Sequence, residues 1–209
     1  MNSLPLFSLG AYRNLLERLK ECDYPLLPVS SVADTSVSRA VFLRHDVDFS
    51  LEWVLPMAEL EADMGIRATY YVLVNGPYAI EHQGQQHLEY LSDLGHELGL
   101  HYDMRDYPES KEAQRSQLEA EIRTLSTLSG CPVNTITMHE PHRGHGDPFR
   151  EDQWIHPHAA TWFNNLTYIS DSCRGWRDSD LLRFLQPEGP DRLLLLTHPE
   201  LWLDGNIPD

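Results

Sequence analysis

The chain has 209 residues, a mass of 24.1 kDa, 41% hydrophobic residues and a mean hydropathy of −0.42, which suits one domain with a buried core and excludes a disordered chain. Lys and Arg number 16 against 32 Asp and Glu, a formal charge of −16, so the surface repels phosphate backbones and anionic lipid and favours a small neutral or cationic substrate over nucleic acid or a membrane. The longest apolar runs, such as Tyr70 to Val74 and Leu193 to Leu196, fall far short of the roughly 20 residues that cross a bilayer.

Met1 to Leu6 has no basic start and no long apolar stretch, so it does not read as a signal peptide, and a cytoplasmic protein is expected. Residues 8–22 read as a helix, with Tyr12, Leu15, Leu16 and Leu19 on one face. Pro25 to Ser38 reads as loop with room for a short strand. Residues 1–39 are therefore expected to pack, as a helix and a loop, on a domain spanning 40–209. In that domain strands and helices alternate. Ala40 to Leu43 is a buried strand, and a helix over 51–64 follows, capped by Asp48 or Ser50 and stopped at Gly65. Pro56 predicts that this helix is kinked or starts late. Ala68 to Leu73 is a β-branched and aromatic strand. Leu88, Leu91 and Leu94 mark a helix ended by Gly95; Glu97 to Leu100 is a strand; Leu118, Ile122 and Leu125 mark a long helix ended by Gly130. Thr135 to Met138 is a strand, 140–157 a His-, Pro- and Gly-bearing loop, 158–165 a short helix and Tyr168 to Ser170 a strand. Leu182 to Leu185 and Leu193 to Leu196 complete about seven strands. The alternation predicts an α/β fold with a parallel sheet, and the short strands favour a small barrel.

Five strands each lead into Asp or His: Asp46 and Asp48, His101 and Asp103, His139 and Glu140, Asp171, and His198. In parallel α/β folds the C-terminal strand ends share one rim, and that rim carries the site. Asp and neutral His suit a divalent metal such as zinc. Asp46 and Asp48 stand two apart, on one face of an extended chain. Two such carboxylates invite a cation between them, with Asp48 as ligand and Asp46 as base. The three cysteines, Cys22, Cys131 and Cys173, are widely spaced without a CxxC, so neither a disulfide framework nor a zinc ribbon is indicated.

Arg44-His45-Asp46-Val47-Asp48, Gly95-His96-Glu97-Leu98-Gly99-Leu100-His101 and Leu196-Thr197-His198-Pro199 resemble the motifs of NodB-homology polysaccharide deacetylases, in the branch whose first motif reads R-H-D-V-D. The resemblance covers roughly 40–203. It implies a distorted β/α barrel of about seven strands and one divalent metal, usually zinc. It also implies hydrolysis of N- or O-acetyl groups on sugars. By that resemblance Asp46 takes the place of the general base and His101 that of the first metal histidine. His198 takes the place of the histidine that protonates the leaving group, tuned by Asp171. The chain departs from the pattern at two places. Val47 stands where the family has its second Asp, so the ligand role passes to Asp48. Arg105 stands where the second metal histidine is usual, four residues after His101, and Arg cannot bind a metal. Asp103 or His139 can fill that place. His139 is preferred, because the alternation Thr135, Thr137, His139 puts all three on one strand face. The family usually has an Arg near this position that orients the catalytic Asp.

Four further residues are candidates for substrate binding. Glu140 follows His139 and can line the site or hold that histidine. Arg44 ends a strand and can touch substrate or pair with Asp103 or Asp171. Trp176 and Trp202 follow strand ends, where they can stack on a sugar ring or pack. The leading reading is a metal-dependent amide hydrolase acting on an N-acyl sugar or a related small molecule, fitting cell-surface polysaccharide synthesis. The alternative is a non-catalytic relative that binds a glycan or metabolite. A cyclic-amide hydrolase with a metal-bridging lysine is disfavoured, since no Lys lies near a strand end.

Overall fold

Strand parity organises this molecule. A computed structural model describes residues 7–78, 80, 83–141, 146–172, 175–176, 185–186 and 188–203. Among the described residues seven strands run parallel: β1 (Leu26–Pro28), β2 (Ala40–Val47), β3 (Thr69–Leu73), β4 (Glu97–Tyr102), β5 (Ile136–Met138), β6 (Thr167–Ser170) and β7 (Arg192–Thr197). The order β5-β4-β3-β2-β7-β6 puts β2 at the centre. β1 lies beside Val41 to Leu43 of β2, on the edge that β3 takes over from Arg44 to Val47. Every residue of β2 is buried, as expected of a central parallel strand covered on both faces. The sheet curls into a half-barrel of the α/β class.

Successive side chains of a strand point to opposite faces. On the convex face Val41, Leu43, Val47, Tyr70, Val72, Leu98, Leu100, Leu193 and Leu195 join one large core with the helices. On the concave face Ala40, Phe42, Tyr71 and Leu194 join Val29 and Val32 in a second, smaller core. Continuing the concave parity upward gives Arg44 and Asp46 on β2, His101 on β4, His139 after β5 and His198 after β7. The small core is thus the floor beneath the site. Gly99 belongs to that face: a Cβ there would come within 2.5 Å of the Tyr71 ring.

The helices are α1 (Leu9–Glu21), α2 (Leu51–Asp63), α3 (Gln83–Asp93), α4 (Lys111–Ser129) and the short α5 (Ala160–Phe163). Ser50, not Asp48, caps α2, accepting from the Trp53 amide, which leaves Asp48 to the rim. The helix begins at Leu51 and runs through Pro56, so it does not start late; the proline removes one backbone hydrogen bond. The strand expected at Leu182 to Leu185 lies outside the described residues except for Leu185, which is buried. Among the described residues no helix is long and apolar enough to cross a membrane.

A polar network crosses the convex core. Glu61 of α2 is fully buried. It accepts from Tyr12 Oη at 2.6 Å, Tyr70 Oη at 2.7 Å and His45 Nε2 at 2.9 Å. Burial pushes its carboxyl up, but His45 and these donors hold it below its usual range. Glu61→Ala would leave three buried polar groups without their partner. Removing one member of such a buried pair costs about 3–5 kcal/mol, so urea unfolding of this variant is expected to show a loss of that order. A loss under about 1 kcal/mol would mean that the network adds nothing to stability.

Candidate active site

The rim of the half-barrel brings Asp48, His101 and His139 together. His139 Nδ1 lies 3.0 Å from His101 Nε2, and Asp48 Oδ1 lies 3.4 Å from His139 Nδ1 and 3.5 Å from His101 Nε2. His101 Nδ1 donates to the Thr137 carbonyl at 3.1 Å, which turns the lone pair of Nε2 toward the other two donors. Asp48 Oδ1 is buried and, among the described residues, has no hydrogen-bond partner. These are the donor types of zinc, and tetrahedral ligands about 2.0–2.1 Å from one ion stand about 3.3 Å from each other. The three side chains therefore fit a small divalent cation without rearrangement. Burial pushes the Asp48 carboxyl up, yet His101 and His139 hold it well below the carboxylate range. Burial likewise pulls His139 down, and Asp48 holds it above the imidazole range.

Asp46 is 4% exposed. Arg44, two residues earlier on the same face, grips it with Nε on Oδ1 and Nη2 on Oδ2, each at 2.7 Å. Such a bidentate contact fixes both position and charge. Arg44 Nη1 donates to His158 Nε2 at 2.7 Å, since Arg can only donate. Burial, then the Arg44 charge, pulls His158 down to about 2, so its ring is neutral and accepts. Burial pushes Asp46 up, while Arg44 and His101 hold it below its usual range. This corrects one expectation for Arg44: it pairs with neither Asp103 nor Asp171 but with Asp46 and His158.

On the other side, His198 Nδ1 meets Asp171 Oδ1 at 2.6 Å, and the His198 amide donates to Oδ2 at 3.0 Å. Trp202 Nε1 donates to the same Oδ2 at 2.8 Å. His198 Nε2 points inward, 3.9 Å from Asp48 Oδ2. Burial pulls His198 down, but Asp171 and the two aspartates across the site carry it up to about 9. The ring is therefore protonated at neutral pH, as a general acid must be. Removing the Asp171 charge takes away the largest effect that opposes burial, so the ring loses its proton at lower pH. Asp171→Asn is accordingly expected to move the alkaline limb of the pH–rate profile to lower pH. An unmoved limb would take His198 out of the acid role.

The remaining candidates separate. Trp202 is 1% exposed and holds Asp171 with its indole, so it is too buried to stack on a sugar. Trp176 is half-buried and packs against Phe7 and Trp202 at ring centroid distances of 6.3 and 5.9 Å. Asp103 caps the turn after β4 and pairs with Arg105, outside the triad. Glu140 lies 3.7 Å from His139 Nε2 and 3.4 Å from Arg105 Nη1. His96 is a satisfied core histidine, accepting from the Ala68 amide and donating to the Ala58 carbonyl. Of the loop histidines, His142 and His145 lie outside the described residues. Asp48, His101, His139 and Glu140 line two cavities. One of about 490 Å³ also contains Asp46, His158 and His198. The other, about 610 Å³, contains Phe49, Asp103 and Arg105. Sequence reasoning missed Glu200, a buried acid whose Oε1 accepts from the amides of Asp48 and Phe49.

No protein-family model and no curated protein sequence matches the chain. Solved structures do. A CE4 family pseudoenzyme from Bacillus anthracis superposes with a TM-score of 0.51 at 16% identity, over 77% of this chain and 55% of that one. A mutant of that protein with restored enzymatic activity gives 0.52 at 16% identity, over 77% and 57%. A CE4 esterase from Streptococcus mutans gives 0.52 at 16% identity, over 83% and 80%. The chain thus spans little more than half the length of the first two and has the fold of CE4 carbohydrate esterases, the polysaccharide deacetylase barrel.

Proposed function

We propose that this protein is a metal-dependent hydrolase that removes an N-acyl group, acetyl in the simplest case, from a sugar or sugar-derived small molecule. The observation that carries the reading is the meeting of three parts on one rim. These are the Asp48–His101–His139 donor set, Asp46 gripped by Arg44, and His198 backed by Asp171. The CE4-like fold supports it at the level of architecture. A zinc ion held by Asp48, His101 and His139 would supply Lewis-acid chemistry, polarising the acyl oxygen and making water acidic. The chain's own groups do the rest. Asp46 takes the proton of the attacking water, held in place by Arg44. His198 gives its Nε2 proton to the departing amine, and Asp171 keeps that proton available. Glu140 and the walls of the two cavities hold the sugar. We place the reaction in the cytoplasm, on a soluble glycan precursor.

Arg105 in place of a metal histidine favours the competing reading, a glycan-binding relative without turnover. His139 answers it, because its Nδ1 reaches the position that Arg105 cannot fill. Arg44 meanwhile supplies the grip on Asp46 that the family resemblance assigns to an arginine near residue 139. Elemental analysis of purified protein, followed by acetate release from N-acetylated sugars, decides. One divalent ion per chain with acetate release is expected. An ion-free chain that binds sugars and releases nothing would establish the competing reading.

A further inference from the structure

The segment that carries Asp48 has left the sheet. Pairing of β2 with β7 ends at His45, and with β3 at Val47. The amides of Asp48 and Phe49 are instead collected by one carboxyl. Glu200 is 2% exposed, and its Oε1 lies 2.9 Å from Asp48 N and 3.0 Å from Phe49 N. Its Oε2 is buried and, among the described residues, has no hydrogen-bond partner. A buried carboxyl is costly, and an apolar residue would fill the place more cheaply if filling were all it did. Glu200 sits in the turn Pro199–Trp202, which directly follows His198. Trp202 of that same turn holds Asp171. One four-residue turn thus reaches both the acid and the ligand side of the site.

We propose that Glu200 is a positioning residue: its carboxyl fixes the backbone of Asp48 so that the Asp48 side chain meets His101 and His139, and it thereby sets the affinity of the site for a divalent cation. The proposal rests on the metal-dependent reading above. Its alternative is a purely architectural role, in which Glu200 only satisfies two amides and the affinity does not depend on it.

Zinc titrations against a chromophoric chelator, with thermal melts of the same samples, separate the two. Glu200→Ala is expected to weaken zinc binding by roughly ten- to a hundredfold, the range seen when groups behind a ligand are removed. Glu200→Gln should stay within about threefold of wild type, because its carbonyl oxygen accepts the same two amides. In an Asp48→Ala background, Glu200→Ala should add no further loss, since the group it positions is gone. Three results would each overturn the proposal: an Ala variant that melts earlier but binds zinc like wild type, a Gln variant as weak as the Ala variant, or an undiminished loss in the Asp48→Ala background. A wild-type chain that binds no zinc overturns the metal-dependent reading and this proposal together. A wild-type chain that binds zinc and shows the expected pattern, yet releases no acetate, supports the Glu200 role and overturns only the hydrolytic one.

Discussion

Asp46→Asn is expected to lower acetate release by about 10²–10⁴-fold, the usual cost of removing a general base, while His101, His139 and Asp48 keep their ion. Taken alone, the near-isosteric exchange suggests an unchanged fold. The geometry says otherwise. Both Asp46 oxygens accept from Arg44, whose side chain is 4% exposed. An amide turns a donor toward one of those donors and leaves a buried guanidinium without a counter-charge. Breaking a buried pair in this way costs about 3–5 kcal/mol, a large part of a domain's stability. The variant should therefore melt markedly earlier and needs assay well below its transition. Pairing it with Arg44→Met removes the orphaned charge. The double variant is expected to regain much of the stability and none of the activity. Recovery of both would make Asp46 a structural partner of Arg44 and not the base. Loss of zinc from the single variant would instead make it a ligand.

The same pair illustrates how much of the site was legible in the sequence. Period-two alternation placed Asp46 and Asp48 together, and Thr137 with His139, because a strand buried on both faces has no freedom in which face a residue takes. That parity also puts Arg44 beside Asp46, so the grip was readable from the spacing that gave the two carboxylates. What parity cannot give is distance across the sheet. His101 and His139 meet because β4 and β5 pair in the register His101 with Thr137, and register is a property of two strands. Trp202 stays open between stacking and packing in the sequence, because an indole after a strand end suits a sugar face and a buried core equally. Its burial was decided by Phe7 and Tyr12, whose rings pack on it at centroid distances of 4.8 and 5.3 Å. Glu61 had left a mark, an acid on the helix face shared by Val54 and Ala58. Its partners Tyr12 and Tyr70 lie 49 and 9 residues away, and no local pattern links them. Glu200 left none, since its role is defined by the amides of a segment 152 and 151 residues distant.

His139→Ala carries the second large effect and tests the ligand set itself. It removes one of three donors and leaves the outer partners in place. The fall in zinc affinity should therefore exceed the roughly 10–100-fold that follows from disturbing groups behind a ligand, and acetate release should fall with it. The pH dependence of binding adds a signature that simple damage to the fold would not reproduce. An ion and a proton compete for the same imidazole lone pair. Asp48 holds His139 above its usual range in spite of burial, so protons compete at higher pH than at an ordinary histidine. Wild-type zinc affinity should climb as pH rises through that range and level off once the ring is neutral. The Ala variant should lose this part of the climb, while His101 and Asp48 remain. Truncation of the His139 side chain, 14% exposed and 3.4 Å from Asp48, should also lower the melting temperature of the ion-free protein, so zinc binding is read well below its transition. An Ala variant that binds zinc with wild-type affinity and wild-type pH dependence would exclude His139 from the ligand set. The place left by Arg105 would then be filled by another donor, with Glu140, 3.7 Å from the same ring, the next to replace.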